Sequence, residues 1–215
     1  AVREEVQAFL RQKELLTKPY NKRSSGKQFV FQWTKGSENR KLKVIDQKLY
    51  DRAAREGFPA NFFRESCFDH VTFYCLPDTV DFCGSELHGC KFAVCRMEGI
   101  SFGHSHIYDT EFYSSILNHV DMYEAVLSHT HFHDCELSHM MVQRATLKSC
   151  HTTDCTMDNV DYAGSTLDGC TFNRITAGAI CLDWTSITQA GATAEECRQN
   201  KDAIYKALGV QEAAA

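Results

Sequence analysis

The chain has 215 residues, of which 43% are hydrophobic and 24% are charged, and its formal net charge is −5. This length suits one ordinary domain or a repeat array with end caps. No apolar run is long enough for a transmembrane helix and no signal peptide pattern opens the chain, so we expect a cytoplasmic protein. GxSxG, HExxH and glycine-rich phosphate-loop motifs do not occur. The sequence therefore predicts no enzyme and no bound cofactor.

Residues 1–60 form a basic segment with fourteen Lys and Arg against seven Asp and Glu. Local patterns predict, in chain order, a helix over 2–16, a polar loop over 19–27, strands over 28–35 and 41–45, and a helix over 46–56 that ends at Gly57. This organisation predicts a small α+β domain. Its candidate basic patch for nucleic acid consists of Lys22, Arg23, Lys27, Arg40, Lys41 and Lys43. No helix-turn-helix, zinc finger or RNA-binding signature accompanies that patch.

From about residue 61 to residue 182 the chain repeats every five residues. The centres of the pentads are large and apolar, as in Leu87, Phe92, Met97, Phe102, Ile107, Phe112, Leu117 and Met122. A second residue of buried type stands two positions before each centre, as in Ser85, Cys90, Cys95 and Ile100. Neither the helical period of 3.6 nor the strand period of 2 gives this register. A fixed short period predicts a solenoid, whose units bury their apolar faces against one another.

A period of twenty residues lies over the period of five. Every fourth pentad has the same character: Ser85, Ser105 and Ala125, for example, precede the aliphatic centres Leu87, Ile107 and Leu127. Residues twenty apart therefore share an environment, which predicts a square coil of four pentads with coils stacked roughly 5 Å apart. The step from Phe73 to Phe82 is nine residues and indicates a one-residue deletion. We expect six coils and one leading pentad.

This register resembles that of the pentapeptide-repeat family, whose common motif is Ala-Asp/Asn-Leu-X-X. A local example is Cys-Glu-Leu-Ser-His at 135–139, and the Asp next to the small residue recurs at 81, 121 and 161. The resemblance implies an all-β solenoid, a right-handed quadrilateral β-helix. We expect it over 61–184, between the α+β cap of 1–60 and a C-terminal helix and tail in 185–215. Such a cap would cover the unpaired edge of the first coil.

Six of the eleven cysteines stand at the inward small-residue position, namely Cys90, Cys95, Cys135, Cys150, Cys155 and Cys170. A thiol there acts as a compact apolar filler, so we expect reduced core cysteines rather than a disulfide framework. Further along the chain, Thr193 to Glu196 form a helix-capping box and Gly209 a helix stop. We expect this helix to plug the last coil. In related pentapeptide-repeat proteins the C-terminal end forms the dimer contact, so a homodimer is a further expectation.

All ten histidines lie between residues 70 and 151, and none occupies an inward position. The twenty-residue period stacks His131 between Glu111 and His151, and places His133 over Tyr113. His131, His133, His151 and Glu111 are therefore candidate ligands for Zn²⁺ or a similar metal, although a flat outward face offers no pocket. The alternative is a polar, aromatic surface for a protein partner. Its candidate residues are Tyr113, His119, His131, His133, Asp134, His139 and Asp154.

Two functional classes follow from the repeat. The first is a rigid, non-enzymatic scaffold that binds another protein of unknown identity. The second is suggested by the resemblance: some pentapeptide-repeat proteins are acidic mimics of DNA that bind DNA gyrase, and residues 61–182 carry sixteen acidic against six basic residues. A third alternative is that the chain is a fragment of a secreted bacterial effector. We favour the scaffold, because the acidic residues divide between two faces instead of forming one stripe.

Overall fold

The computed structural model describes residues 28–31, 40–74, 76–77, 80–188 and 210–212, and gives the backbone alone at 28–31, 40–41, 188 and 210–212. The helix α1 spans Gln47–Glu56. The strands in chain order are β1 Gln28–Phe31, β2 Arg40–Ile45, β3 Ser66–Asp69, β4 Thr72–Phe73, β5 Glu86–His88, β6 Lys91–Ala93, β7 Arg96–Glu98, β8 His106–Tyr108, β9 Glu111–Tyr113, β10 Ile116–Asn118, β11 Val126–Ser128, β12 His131–His133, β13 Glu136–Ser138, β14 Thr146–Lys148, β15 His151–Thr153, β16 Thr156–Asp158, β17 Val160–Asp161, β18 Thr166–Asp168, β19 Thr171–Asn173, β20 Ile175–Ala177, β21 Ile180–Cys181, β22 Ser186–Thr188 and β23 Val210–Glu212.

These strands form the four faces of a parallel solenoid. Face 1 has the order β1-β2-β3-β5-β8-β11-β14-β18-β22, face 2 the order β4-β6-β9-β12-β15-β19, and face 3 the order β7-β10-β13-β16-β20-β23. Face 4 contains β17 and β21 and is continued by single bridges that link Asp81, Ser101, Asp121, Met141 and Asp161. Leu127 pairs with both Ile107 and Leu147, a register of twenty residues. The predicted square coil is confirmed.

The coils extend further at the C-terminal end than we expected. Face 1 has seven solenoid strands, from β3 to β22, instead of six coils and a leading pentad. The extra pentad keeps the five-residue register, since Ile187 is buried as the next centre after Leu182. Thr185, two residues before it, is also buried, and its Oγ1 donates a hydrogen bond of 2.8 Å to the Tyr162 carbonyl.

The predicted one-residue deletion is visible in the first coil. Phe68 pairs with Leu87 and Phe73 pairs with Phe92, so the register here is nineteen residues instead of twenty. Both phenylalanines are fully buried. The loop that contains the deletion therefore shortens the coil without moving any centre out of the core.

The core is a column of stacked side chains. The rings of Phe73, Phe92, Phe112 and Phe132 lie nearly parallel, with consecutive centroids 4.4, 4.6 and 4.7 Å apart. Thr152 interrupts this column at the next coil and is buried there. Each buried phenylalanine contributes roughly 2–3 kcal/mol of hydrophobic free energy, so the column is a main source of the stability of the solenoid.

The described cysteines all carry free thiols, as we predicted for the reduced core. They are Cys67, Cys83, Cys90, Cys95, Cys135, Cys150, Cys155, Cys170 and Cys181. Of the six at inward positions, only Cys170 is partly exposed. Cys135 and Cys155 are neighbours on adjacent coils, and the Cys135 amide donates to Cys155 Sγ at 3.3 Å. The thiols therefore fill the core and also accept backbone hydrogen bonds.

At most of the described corners, the residue two positions after the centre has a left-handed backbone conformation. These residues have φ between 45° and 69° from Gly84 onward, for example Gly89, Val94, His119 and Asp134. Glycine, Asn and Asp tolerate this conformation best, whereas a β-branched residue such as Val94 is strained there. Five of the ten histidines stand at such corners, namely His70, His104, His119, His129 and His139.

The first coil is closed by β2 and α1. β2 pairs antiparallel with β1 and parallel with β3, which adds the N-terminal strands to face 1. The helix begins after Asp46, whose side chain accepts the Leu49 amide at 2.9 Å, and it ends at Gly57. Tyr50 is fully buried and its ring meets Phe73 edge-on at 5.1 Å. The predicted strands and the helix at 46–56 are confirmed where they are described, and residues 32–35 of the first predicted strand lie outside the described residues.

The predicted helices over 2–16 and after Thr193, and the loop over 19–27, lie outside the described residues. At the C-terminal end, β23 pairs in parallel with β20 and extends face 3. In the described part of the chain, no helix is both long and apolar enough to cross a membrane.

Candidate protein-binding surface

The outward side chains of face 2 form what we call the histidine face: Glu111, Tyr113, His131, His133 and His151. β12 holds His131 between Glu111 of β9 and His151 of β15, and holds His133 beside Tyr113. This is the register that the twenty-residue period predicts. Because neighbouring strands in a sheet are about 5 Å apart, the rings are brought into contact without any loop.

The rings of the histidine face are ordered by stacking. The centroids of Tyr113 and His133 are 5.2 Å apart, and those of His131 and His151 are 4.9 Å apart with the rings nearly perpendicular. Together with Glu111 and Thr153 they line a shallow depression of about 300 Å³. The face that we expected to be flat is therefore slightly concave.

Neighbouring groups hold the two ends of the histidine face. The Lys91 ammonium lies 2.8 Å from the Glu111 carboxylate, and His151 Nδ1 is 2.6 Å from Thr171 Oγ1. Burial, followed by the nearby His131 and His129, lowers the pKa of His151. The neutral imidazole is therefore favoured at this position.

The candidate metal ligands on this face are not gathered around one point. Where the structure describes the chain, one group of three His, Cys, Asp or Glu ligand atoms lies within 4.8 Å of one another, and it belongs to face 1. His131, His133, His151 and Glu111 form no such group. Metal binding by the histidine face stays a prediction without a preformed ligand set.

The corner between faces 2 and 3 carries a row of paired charges. Asp154 receives two hydrogen bonds from Arg174, from Nε at 2.5 Å and from Nη2 at 2.7 Å, and His133 Nδ1 lies 3.8 Å from its carboxylate. The hydrogen bonds from Arg174 hold the pKa of Asp154 below its ordinary value. One coil earlier, the Asp134 carboxylate accepts a hydrogen bond of 2.7 Å from Ser114 Oγ.

His119 and His139 stack at the next corner, after face 3. Their rings are parallel to within 8° and their centroids are 4.7 Å apart. His119 Nδ1 lies 3.2 Å from Glu98 Oε1, and Asn118 donates to the other oxygen of Glu98 at 2.8 Å. The Asn118 hydrogen bond, followed by that of His119, lowers the pKa of Glu98. The structure thus places the predicted surface residues on face 2, at the corner between faces 2 and 3, and at the corner after face 3.

The candidate basic patch is largely outside the described side chains. Lys22, Arg23 and Lys27 lie outside the described residues, and Arg40 and Lys41 are described by their backbone in β2. Lys43 is exposed, and its ammonium lies 5.2 Å from the centroid of the Phe62 ring. The nucleic-acid hypothesis for this patch stays a prediction.

A second exposed aromatic surface, on face 4, escaped our sequence reasoning. Trp184 is 67% exposed at a corner and, with Tyr123 and Arg144, lines a depression of about 490 Å³. Arg144 Nη1 donates to the Tyr123 hydroxyl at 3.0 Å. The sequence could have predicted this exposure. Trp184 follows the centre Leu182 by two residues, which is the corner position of the pentad.

The face 1 cluster was also missed. It consists of Cys67, Glu86 and His88, whose ligand atoms lie within 4.8 Å of one another. The sequence analysis considered only the cysteines at inward positions. Cys67 stands directly before the centre Phe68, at an outward position of its pentad. This outward position is the sequence feature that distinguishes Cys67 from the core cysteines.

Comparison with known proteins agrees with the geometry. A family model described as "Pentapeptide repeat region" matches residues 85–151. No curated protein sequence matches the chain. Among solved structures, HetL, a pentapeptide repeat protein involved in heterocyst differentiation regulation from Nostoc sp. strain PCC 7120, is similar at 13% identity and a TM-score of 0.35, over 60% of this chain and 65% of HetL. This chain therefore spans slightly less than two thirds of the length of HetL.

A second solved structure is a trypsin-treated form of QnrB1, a plasmid-mediated fluoroquinolone resistance protein. It is 13% identical, with a TM-score of 0.41 over 60% of this chain and 78% of QnrB1. Residues 85–151 match the pentapeptide-repeat family, and the five-residue register and the four-faced coil continue on both sides of that match.

Proposed function

We propose that this protein is a non-enzymatic scaffold that binds another protein through the histidine face and the corner between faces 2 and 3. The observation that carries the proposal is the ring-lined depression formed by Tyr113, His131, His133 and His151. Stacked rings on a fixed sheet lose little conformational entropy when a partner binds. The free energy gained from their contacts is therefore offset only slightly by that loss.

The polar groups around the depression support recognition of a protein. Tyr and His have an apolar ring body and a polar edge, a combination suited to a partly wet interface. The Asp154–Arg174 pair and the Ser114–Asp134 hydrogen bond hold charged and polar groups in fixed positions beside the rings. Such fixed groups favour one partner orientation over others. The second surface, around Trp184, supplies the residue types that dominate binding energy in protein interfaces, Trp, Tyr and Arg.

The experiment compares partners captured from cell lysate by the full chain and by two variants. The first carries His131→Thr, His133→Thr and His151→Thr. Threonine fits these columns, because Thr153 and Thr171 follow His133 and His151 on the next coil. The control carries Val126→Thr and Lys148→Thr on face 1, where Thr146 and Thr166 stand in the Val126 column.

We expect the histidine-face variant to lose a protein that the wild type and the face 1 control retain. Circular dichroism and thermal melts would establish that all three proteins fold alike. Equal capture of every bound protein by both variants would contradict the assignment of the histidine face. If a Trp184→Ser variant loses the captured protein instead, the partner binds on face 4.

The DNA-mimic alternative is weakened by the pairing of acidic groups. A mimic needs a continuous row of unpaired negative charges. Glu111 lies 2.8 Å from Lys91, Asp154 is bonded to Arg174, and Glu124 lies 3.6 Å from Arg144. A gyrase supercoiling assay tests this alternative directly. Inhibition or protection of gyrase by a stoichiometric excess of this protein would favour the mimic over the scaffold.

A further inference from the structure

The outer surface of face 1 contains a buried carboxylate near the N-terminal end of the solenoid. Glu86 is 2% exposed although its side chain points away from the core centre Leu87. Its pair partner on the preceding coil is Cys67, which is also 2% exposed. Burying a carboxylate away from water is costly unless a positive charge or several hydrogen bonds compensate it.

The described ion pairs give Glu86 one partner that can carry a positive charge. His88 Nε2 lies 3.4 Å from Glu86 Oε2, and no Lys or Arg among the described ion pairs reaches this carboxylate. Among the described residues, Cys67 packs with the apolar side chains of Leu42 and Val44. A carboxylate and a thiol are therefore held together beside apolar side chains, with an imidazole nearby.

We propose that Cys67, Glu86 and His88 form a binding site for a divalent metal ion of the zinc class. The Sγ, carboxylate oxygen and imidazole nitrogen lie within 4.8 Å of one another. Ligand atoms that share a tetrahedral zinc ion lie roughly 3.5 Å apart, given metal–ligand distances of about 2.0–2.3 Å. Metal binding would require side-chain rotations that shorten these separations to that spacing.

The ligand chemistry selects a borderline metal. Thiolate and imidazole together favour Zn²⁺, whereas Ca²⁺ and Mg²⁺ prefer oxygen ligands. Binding displaces the thiol proton of Cys67 to solvent, and the ion then neutralises one thiolate and one carboxylate. Without metal, burial and then the Glu86 carboxylate raise the pKa of Cys67, so the apo site holds a neutral thiol.

The site has one open side. Three protein ligands leave one position of a tetrahedral ion for water or another ligand. The His88 side chain is 30% exposed, which provides solvent access from that side. The next coil adds Tyr108, whose ring lies 5.2 Å from that of His88, and His106, which contacts the Tyr108 hydroxyl at 3.2 Å. The Tyr108 ring thus lies beside the His88 ring on the next coil.

A metal ion at this position would link two consecutive coils. Cys67 belongs to β3 and Glu86 to β5, so one ion would join the first two coils on face 1. β3 is also the strand on which β2 pairs, at Val44 opposite Cys67. Metal binding is therefore expected to raise the thermal stability of the N-terminal end of the solenoid.

The test is titration of the full, tag-free protein with Co²⁺, which gives a charge-transfer absorption band only when a thiolate is a ligand. We expect one Co²⁺ per chain, this band, and its loss on addition of Zn²⁺. Cys67→Ser should abolish the band, and Glu86→Gln or His88→Gln should weaken binding by at least about tenfold. Cys83→Ser and His151→Thr are matched controls and should leave the band unchanged.

A second measurement uses the wild-type protein alone, so its result does not depend on whether the variants fold. X-ray absorption at the zinc edge should report one sulfur together with nitrogen and oxygen ligands. Absence of a cobalt–thiolate band in the wild type, or persistence of the band in Cys67→Ser, would overturn the site. A zinc shell without sulfur, abolished by His151→Thr, would move the metal to the histidine face.

Discussion

Ser105 and Ala125 occupy the same inward position on consecutive coils of face 1, and both are fully buried. The Ser105 hydroxyl has no hydrogen-bond partner among the described residues. The equivalent hydroxyl of Ser85 donates to the Phe63 carbonyl, and that of Ser165 donates to the Val142 carbonyl. The Ser105 hydroxyl is thus buried without a hydrogen bond, which lowers the free energy of unfolding, whereas Ser85 and Ser165 keep theirs.

We therefore expect Ser105→Ala to stabilise the protein by about 1 kcal/mol, because it removes a buried polar group without a partner. Alanine fits the position, as Ala125 and Ala145 show. Urea denaturation of both proteins measures the change. Ser165→Ala is the matched control and should destabilise, since the Ser165 hydroxyl also accepts the Ala145 amide at 3.1 Å. A loss of stability in Ser105→Ala would show that this hydroxyl has a partner after all.

Val94 should be the most strained corner residue. It has φ of 55°, whereas the other described corner residues with positive φ are not β-branched. A left-handed conformation costs a non-glycine residue roughly 1–2 kcal/mol, and Asn tolerates it better than Val. We expect Val94→Asn to stabilise by about 1 kcal/mol, measured by thermal and urea denaturation. The reverse exchange, Asn159→Val at φ of 52°, should destabilise the protein. Equal stability of all three proteins would rule out strain at this corner.

The Asp154–Arg174 pair should give part of the acid dependence of stability. Arg174 lowers the pKa of Asp154 in the folded protein. The pair therefore stabilises above the ordinary carboxyl pKa, and this contribution disappears as pH falls through the lowered value. Arg174→Gln should raise the pKa of Asp154 in a carboxyl NMR titration. The stability difference from wild type should be small, because the pair is exposed, and it should vanish in acid.

Lys148→Gln is the control for that experiment, since Lys148 is an exposed cation on face 1. It should leave the titration of Asp154 unchanged. An Asp154 pKa that is the same with and without Arg174 would contradict the assigned cause.

Cys90 should resist alkylation until the solenoid opens. Its side chain is fully buried and its Sγ donates to the Phe68 carbonyl at 3.4 Å. Burial raises its pKa to about 12, so the reactive thiolate is scarce as well as inaccessible. Cys83 is partly exposed and should react first. Peptide mapping during iodoacetamide treatment, with and without urea, measures both rates. Equal native rates at Cys90 and Cys83 would show that the first two coils open locally.

Much of the fold follows from the sequence because each pentad contacts only its neighbours. A five-residue period assigns every centre to the core, and a twenty-residue period assigns pairs such as His131 and His151 to adjacent strands. These are local counting rules, and the packing of a narrow coil enforces them at every turn. The same rules located the one-residue deletion between Phe73 and Phe82.

The tertiary structure determines side-chain burial and charge pairing, which the repeat does not specify. The period places Glu86 outward, yet in the folded chain it is buried beside Cys67. The period stacks His131 on Glu111, yet the Lys91 ammonium at 2.8 Å determines how that carboxylate is held. Side-chain rotamers and charge pairing depend on neighbours from several coils at once. They are therefore set by the three-dimensional arrangement, whereas the register that creates those neighbours is set by the sequence.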